Sequence, residues 1–238
     1  MTSPAQRHFA RVTASLAAAL AVDHGSMTME GATAYELMLA KQADDRRRLK
    51  TLQSIARKIE LKRELLPDYD AYVEGVLAGG RGAQDDVLVT VMTWRIDTGD
   101  YPGALLIASY VLQHKLTLPD RFERTMGTYI AEEIAEQALR ALTAKEPFDI
   151  DVLGQTGTLT AAEDMPDEVR AKLHKAIGLL LIGDIDLKVE LAATNQLRLE
   201  MALPHLQQAL QLHERCGVKR DIENVERSLK KHVAPATP

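Results

Sequence analysis

Apolar residues along this chain recur mostly at spacings of three and four, the rhythm of helices that bury one face. Ser3 followed by Pro4 opens the first of them. The Ser3 hydroxyl can accept from an orphan amide of the first turn, and Pro4 has no amide to lose there. A helix is expected over residues 4–22. Residues 24–31, rich in Gly, Ser and Thr, read as a linker. A long helix is expected over 33–66, with Thr33 as its cap and Pro67 as its stop. Projected at about 100° per residue, Leu49, Leu52, Ile55, Ala56, Ile59 and Leu66 share an arc of roughly 120°. Arg46, Arg47, Lys50, Arg57, Lys58 and Lys62 occupy the opposite arc. Leu49, Leu52, Ala56, Ile59 and Leu66 also keep the spacing of a coiled-coil seam, interrupted at Arg63.

Residues 75–82 (GVLAGGRG) read as a flexible, glycine-rich break. They do not make a nucleotide loop, because no Gly-Lys-Ser/Thr follows to reach phosphates and hold Mg²⁺. Residues 87–94 (VLVTVMTW) are strand-like in composition, but their flanks argue for a buried helix. Asp85 or Asp86 can cap it, and Thr98-Gly99-Asp100 supplies a stop and a turn. A second helix over 102–114 completes an αα-hairpin. Gly99, Tyr101, Ala104, Ala108 and Pro119 resemble the second half of a tetratricopeptide unit. A weaker echo follows Gly183-Asp184-Ile185, in a helix over 202–212. Further helices are expected at 129–144, 166–182 and 206–232. The fold class is therefore all-α: long N-terminal helices followed by helical hairpins with tetratricopeptide-like character. Three parts are expected: 1–66, which contacts DNA and oligomerises; 67–232, an acidic hairpin body; and 233–238, a disordered tail.

Composition sharpens this in two places. Alanine and leucine dominate the apolar set and only 4% of residues are aromatic, which favours helices over sheets. The single cysteine, Cys216, excludes an intrachain disulfide and a cysteine-based zinc site. No run approaches the roughly 20 apolar residues of a membrane span, so no membrane partner is expected.

The net charge of −5 conceals an asymmetry. Residues 41–63 hold nine basic and three acidic side chains, a net +6, whereas 67–170 carry a net −11. A concentrated basic helix on an acidic body suits a polyanion, although a charge run can equally be a solvated face.

Several longer strings then carry a resemblance. They are Thr2-Ser3-Pro4-Ala5-Gln6-Arg7-His8, Arg63-Glu64-Leu65-Leu66-Pro67 and Gly82-Ala83-Gln84-Asp85-Asp86. Trp94-Arg95-Ile96-Asp97-Thr98-Gly99-Asp100 with Gly103-Ala104-Leu105, and the run from Asp164-Met165-Pro166 through His174-Lys175, complete the set. Together they resemble the small terminase subunit of P-two-like temperate tailed phages, a family also labelled the endonuclease subunit of its terminase. The resemblance implies a protein of the host cytoplasm that binds the packaging site on concatemeric phage double-stranded DNA. It also implies recruitment of the terminase large subunit, which carries the ATPase, and assembly as a homo-oligomeric ring.

Three functions remain open from the residues. In a DNA-recognition module, Arg46, Arg47, Lys50, Arg57, Lys58 and Lys62 would neutralise phosphates, which positions a protein without reading sequence. Gln6, Arg7, His8 and Arg11 would be the groove-reading cluster, so Arg7 and Arg11 join the expected DNA-binding residues. A metal-dependent endonuclease would need carboxylates converging on Mg²⁺. The candidates are Asp85 with Asp86, Asp97 with Asp100, or Glu132, Glu133 and Glu136. Mg²⁺ is expected only on that alternative; otherwise no cofactor or metal is expected, and no catalytic residue can be named. A protein-binding scaffold is the third. No two of the seven histidines stand at i, i+4, and His205 and His213 are more than one helical turn apart. Trp94 reads as a core anchor.

Overall fold

The structure is a computed structural model of the chain that describes residues 3–23, 33–119, 124–187 and 192–232. All regular structure among the described residues is helical, in eleven α-helices and one short 3-10 turn. The expected linker at 24–31, the capping role of Thr33 and the tail at 233–238 lie outside what is described. Two compact units divide the chain, Met1–Met126 and Gly127–Pro238.

The first unit holds α1 (Pro4–Asp23), α2 (Thr33–Thr51), α3 (Ile55–Leu65), a 3-10 turn at Leu66–Asp68, α4 (Asp70–Gly79), α5 (Asp86–Thr98) and α6 (Tyr101–Gln113). Ser3 opens α1 as expected, through a reciprocal pair of bonds. The Gln6 amide donates to Ser3 Oγ at 3.2 Å, and the Ser3 amide donates to Gln6 Oε1 at 2.7 Å. α1 then lies along α4. Ala14 and Ala18 are buried there, and Gly75 and Gly79, one turn apart on α4, permit the approach. A Cβ on Gly75 would overlap the Arg11 carbonyl and sit 2.8 Å from Ala14 Cβ. The glycines at 75–79 are thus a helix-packing face and not the flexible break expected of them; the helix ends only at Gly80.

α5 is the central helix. Ten of its thirteen residues are buried, and it contacts α2, α3 and α6. Asp85 caps it by accepting from the Leu88 amide at 2.8 Å. Gly99, at φ 81°, ends it, since only glycine takes that left-handed turn at no steric cost. Asp100 then caps α6 through the Gly103 amide. The expected hairpin is present and Trp94 is a core residue, edge-on to Tyr69 with ring centroids 5.8 Å apart. The tetratricopeptide-like character is not confirmed, since α5 is enclosed on several sides.

The single helix expected over 33–66 is two. Residues 52–54 interrupt it, and Ser54 restarts the chain by accepting the Arg57 amide at its hydroxyl. The apolar arc breaks with it: Leu49 and Leu66 are buried, but Ile55 is 75% exposed. No continuous coiled-coil seam survives. The helices on either side of residue 66 pack within this one unit.

The second unit holds α7 (Met126–Ala144), α8 (Ile150–Leu159), α9 (Asp167–Ile182), α10 (Ala193–Leu212) and α11 (Lys219–His232). α8, capped by Asp149, was not anticipated. The helix expected at 206–232 is divided between α10 and α11, with Gly217 at φ 83° in the connection. α9 and α10 pack closely because Gly178 leaves room for the Leu206 side chain. Buried Leu199 with Val225, and Leu206 with Ile222, join α11 to α10.

Candidate nucleic-acid interface

The cations of α2 divide by helix face. Gln42, Asp45 and Leu49 mark the buried edge. Asp45, only 3% exposed, gathers three partners: Lys41 Nζ at 2.7 Å, Arg48 Nη1 at 3.3 Å and the Tyr69 hydroxyl, which donates at 2.8 Å. Lys41 also reaches Asp68 at 3.2 Å and lies over the Tyr69 ring. Burial first, and then the neighbouring Asp45 carboxylate, push the Tyr69 phenol well above its usual range, so it remains a proton donor. Lys41 and Arg48 are therefore occupied in holding α2 down.

Arg46, Arg47 and Lys50 lie off that edge. Arg47 pairs with Asp44 at 2.9 Å, with both side chains more than half exposed, a contact worth little in water. Arg46 and Lys50 have no ion pair among the described residues, nor do Arg57 and Lys58 in the first turn of α3. That turn contains no acidic residue. Two cations at the positive end of a helix dipole disfavour the helix by themselves, and an approaching anion would relieve them. Lys50 on one side of the break at 52–54, and Arg57 and Lys58 on the other, put positive charge at one corner of the unit. Lys62 points elsewhere. Its ammonium pairs with Asp97 at 2.5 Å and is largely buried, tying α3 to α5. Arg63 likewise donates to the Thr98 carbonyl.

Arg7 and Arg11 share a cleft of about 360 Å³ with His8, Asp70 and Glu74. Arg11 meets Glu74 at 3.9 Å, both half-exposed, and its guanidinium lies 3.5 Å from His8 Nδ1. This cluster is mixed in sign, unlike the α2–α3 corner.

Most of the carboxylates weighed as metal ligands are engaged by other partners in the chain. Asp85 is fully buried, and its oxygens accept from the Leu88 amide and, at 2.6 Å, from the Tyr72 hydroxyl. Burial raises its carboxyl to about 6, against the opposing pull of those hydrogen bonds. Asp86 receives the Gln84 amide group. Asp97 is held by Lys62, and Asp100 by Arg95, whose guanidinium also binds Asp70 at 2.7 Å. Glu132 and Glu136 clasp Lys172 at 2.6 and 2.7 Å. Among the described residues, no three His, Cys, Asp or Glu side chains gather as metal ligands.

Some of this was available to sequence reasoning. The Lys41–Asp45 and Arg48–Asp45 pairs stand at i, i+4 and i, i+3, a spacing that marks them as internal partners. Lys62–Asp97 spans 35 residues and has no such signal. Nor has His174 with His205, whose Nδ1 atoms approach to 2.9 Å between α9 and α10.

The model of the phage small terminase subunit family matches residues 39–168 of the chain. The chain belongs to this family. Its match covers α3 to α8, most of α2 and all of the α2–α3 corner. A relative named the terminase, endonuclease subunit of Escherichia phage P2 is 48% identical over 235 residues, covering 99% of this chain and 89% of its own. A second, the probable terminase, endonuclease subunit of Haemophilus phage HP1, is 25% identical over 208 residues, covering 83% and 73%. No solved structure matches. Membership of the small terminase subunit family supports a role in phage DNA packaging. No helix among the described residues is long and apolar enough to cross a membrane.

Proposed function

We propose that the chain is the DNA-recognition subunit of its terminase, binding the packaging site on concatemeric phage DNA and recruiting the large ATPase subunit in the host cytoplasm. One observation carries the reading. Around the α2–α3 corner Arg46, Lys50, Arg57 and Lys58 have no acidic partner, Arg47 has only an exposed one, and the inward-facing cations are already neutralised. Unpaired cations on a chain of net charge −5 are what phosphate contact requires. The three-residue connection between α2 and α3 is also of the length that joins helix-turn-helix pairs, whose second helix offers its first residues to base edges. Arg57 and Lys58 stand there. Arg7 and Arg11 are auxiliary contacts, and Lys62 contributes by orienting α3. The acidic remainder is left to face the large subunit, and the active form is a homo-oligomeric ring.

Alanine at Arg46, Arg47, Arg57 and Lys58 together is expected to weaken retention of packaging-site DNA in a low-salt gel shift at least a hundredfold, with helicity unchanged. Full retention by that variant rejects the reading.

The names of the two relatives favour a second one, an endonuclease subunit. The carboxylates of this chain are mostly committed to structural partners, so it ranks behind. Incubation of the chain with DNA and Mg²⁺ or Mn²⁺ separates the two. Nicking that is lost in Asp86→Ala but retained in the four-cation variant with high substrate would put the chemistry here.

A further inference from the structure

α1 is apolar on two opposite sides. Small Ala14 and Ala18 face α4, whereas Phe9, Val12, Leu16 and Leu20 fall within about 80° of one another on the far side. These four are 70%, 40%, 58% and 50% exposed. A helix with its large residues outward and its small residues inward reverses the ordinary economy of burial. Val12 and Leu16 of the ridge also form one wall of a groove of about 880 Å³, whose other side is Val73 and Leu77 of α4 and Leu106 of α6, itself 64% exposed. Ridge and groove together expose on the order of 500 Å² of apolar surface, the size at which a patch marks an interaction site. The rim carries both signs, since Arg11 and Glu74 lie 3.9 Å apart and half-exposed.

We infer that this surface is the contact between copies of the chain, the ridge of one seated in the groove of the next. The inference rests on the reading that the chain assembles, and it names where. A second copy fits because the patch is complementary to itself. It offers ridge and groove, cation and acid, within one surface, whereas a surface shaped for a foreign partner needs only one half of each. Burying such a patch on both copies removes about 1,000 Å², the lower bound for a specific interface. Seated both ways, ridge into groove and groove onto ridge, the contact is isologous and pairs two copies about a two-fold axis. The 49–66 stripe offers no continuous alternative, because Leu49 and Leu66 are buried within their own unit while Ile55 between them is exposed.

The test is the native mass of the full chain at micromolar concentration, beside a Phe9→Glu, Leu16→Glu double variant. Both side chains are exposed, so the variant is expected to keep its circular dichroism and melting temperature. The wild-type chain is expected to assemble and the variant to run as a monomer. An assembled variant overturns this inference and leaves the assembly reading standing; a monomeric wild type overturns both. A wild type that is monomeric alone, with the variant losing capture by the large subunit, assigns the surface to that subunit and likewise overturns the inference. Should the double variant melt early, Leu106→Glu on the groove side, at a side chain 64% exposed, replaces it. It is expected to weaken assembly at least tenfold; unchanged assembly counts against the contact.

Discussion

Tyr72 donates its hydroxyl proton to Asp85 at 2.6 Å in the interior of the first unit, while the other oxygen of the same carboxylate caps α5. One buried side chain therefore joins α4 to the start of the central helix. The arrangement has a cost, because burial disfavours the charged carboxylate and raises its titration from 3.8 to about 6.

The sign of the resulting pH dependence follows. Between about 4 and 6 the folded chain holds a proton at Asp85 that the unfolded chain has released, so this group's contribution to stability falls as pH rises through that window and is flat above it. Asp85→Asn keeps an oxygen for the Leu88 amide and removes the titration. Urea unfolding at several pH values is expected to show the Asn variant gaining on wild type by about 2–3 kcal/mol from pH 4 to pH 7. A constant difference would contradict the assignment.

The histidine pair of α9 and α10 works in the opposite direction. Only one N–H fits between Nδ1 atoms 2.9 Å apart, so the pair accommodates at most one extra proton. Burial lowers both His174 and His205, and for His174 the neighbouring His205 and Arg170 lower it further. Stability from this pair is present at neutral pH and is lost as pH falls below about 6.5. His205→Gln is expected to make the loss between pH 7 and 5 shallower in the same urea series, and an unaltered slope would count against it.

Glycine substitutions should separate packing from flexibility. Gly79→Ala places a methyl against Ser15, 2.7 Å from its carbonyl oxygen, and should destabilise the first unit by about 1–3 kcal/mol and expose α1 to protease. Gly154→Ala, with nothing within 4 Å of the new methyl, should stabilise α8 by about 0.5–1 kcal/mol. Thermal melts of the two variants moving the same way would refute this reading of the glycines.

Thr90 is 1% exposed, and its hydroxyl has no hydrogen-bond partner among the described residues. Thr90→Val preserves the shape and removes the orphaned group. The expected gain is about 1 kcal/mol, or roughly 2–4 °C in melting temperature. A lower melting temperature would mean that the hydroxyl has a partner.

Local signals made part of this fold legible. Ser3-Pro4, Asp85 and Gly99-Asp100 mark helix ends by chemistry confined to a few residues, and α1, α5 and α6 end where those residues say. The break at 52–54 was hidden because the apolar spacing runs across it, and Leu52-Gln53-Ser54 contains neither glycine nor proline. The capping hydroxyl of Ser54 prevails there. Gly75 and Gly79 misled because a glycine's role depends on what approaches it, here the Arg11–Ser15 turn of α1. At the site, the charge asymmetry drew attention to residues 41–63, but the division into occupied and unpaired cations depends on partners such as Asp97 that only the folded chain brings close.

The central claim is that the cations of the α2–α3 corner meet DNA phosphates, and the salt dependence of binding measures it most directly. Each phosphate contact contributes about 0.9 to the slope of log K against log salt. Replacing Arg46, Arg47, Arg57 and Lys58 by alanine should therefore reduce that slope by about 3–4, while Lys62→Ala should leave the slope within about 0.5 and lower stability instead. A four-cation variant with the wild-type slope would contradict the account.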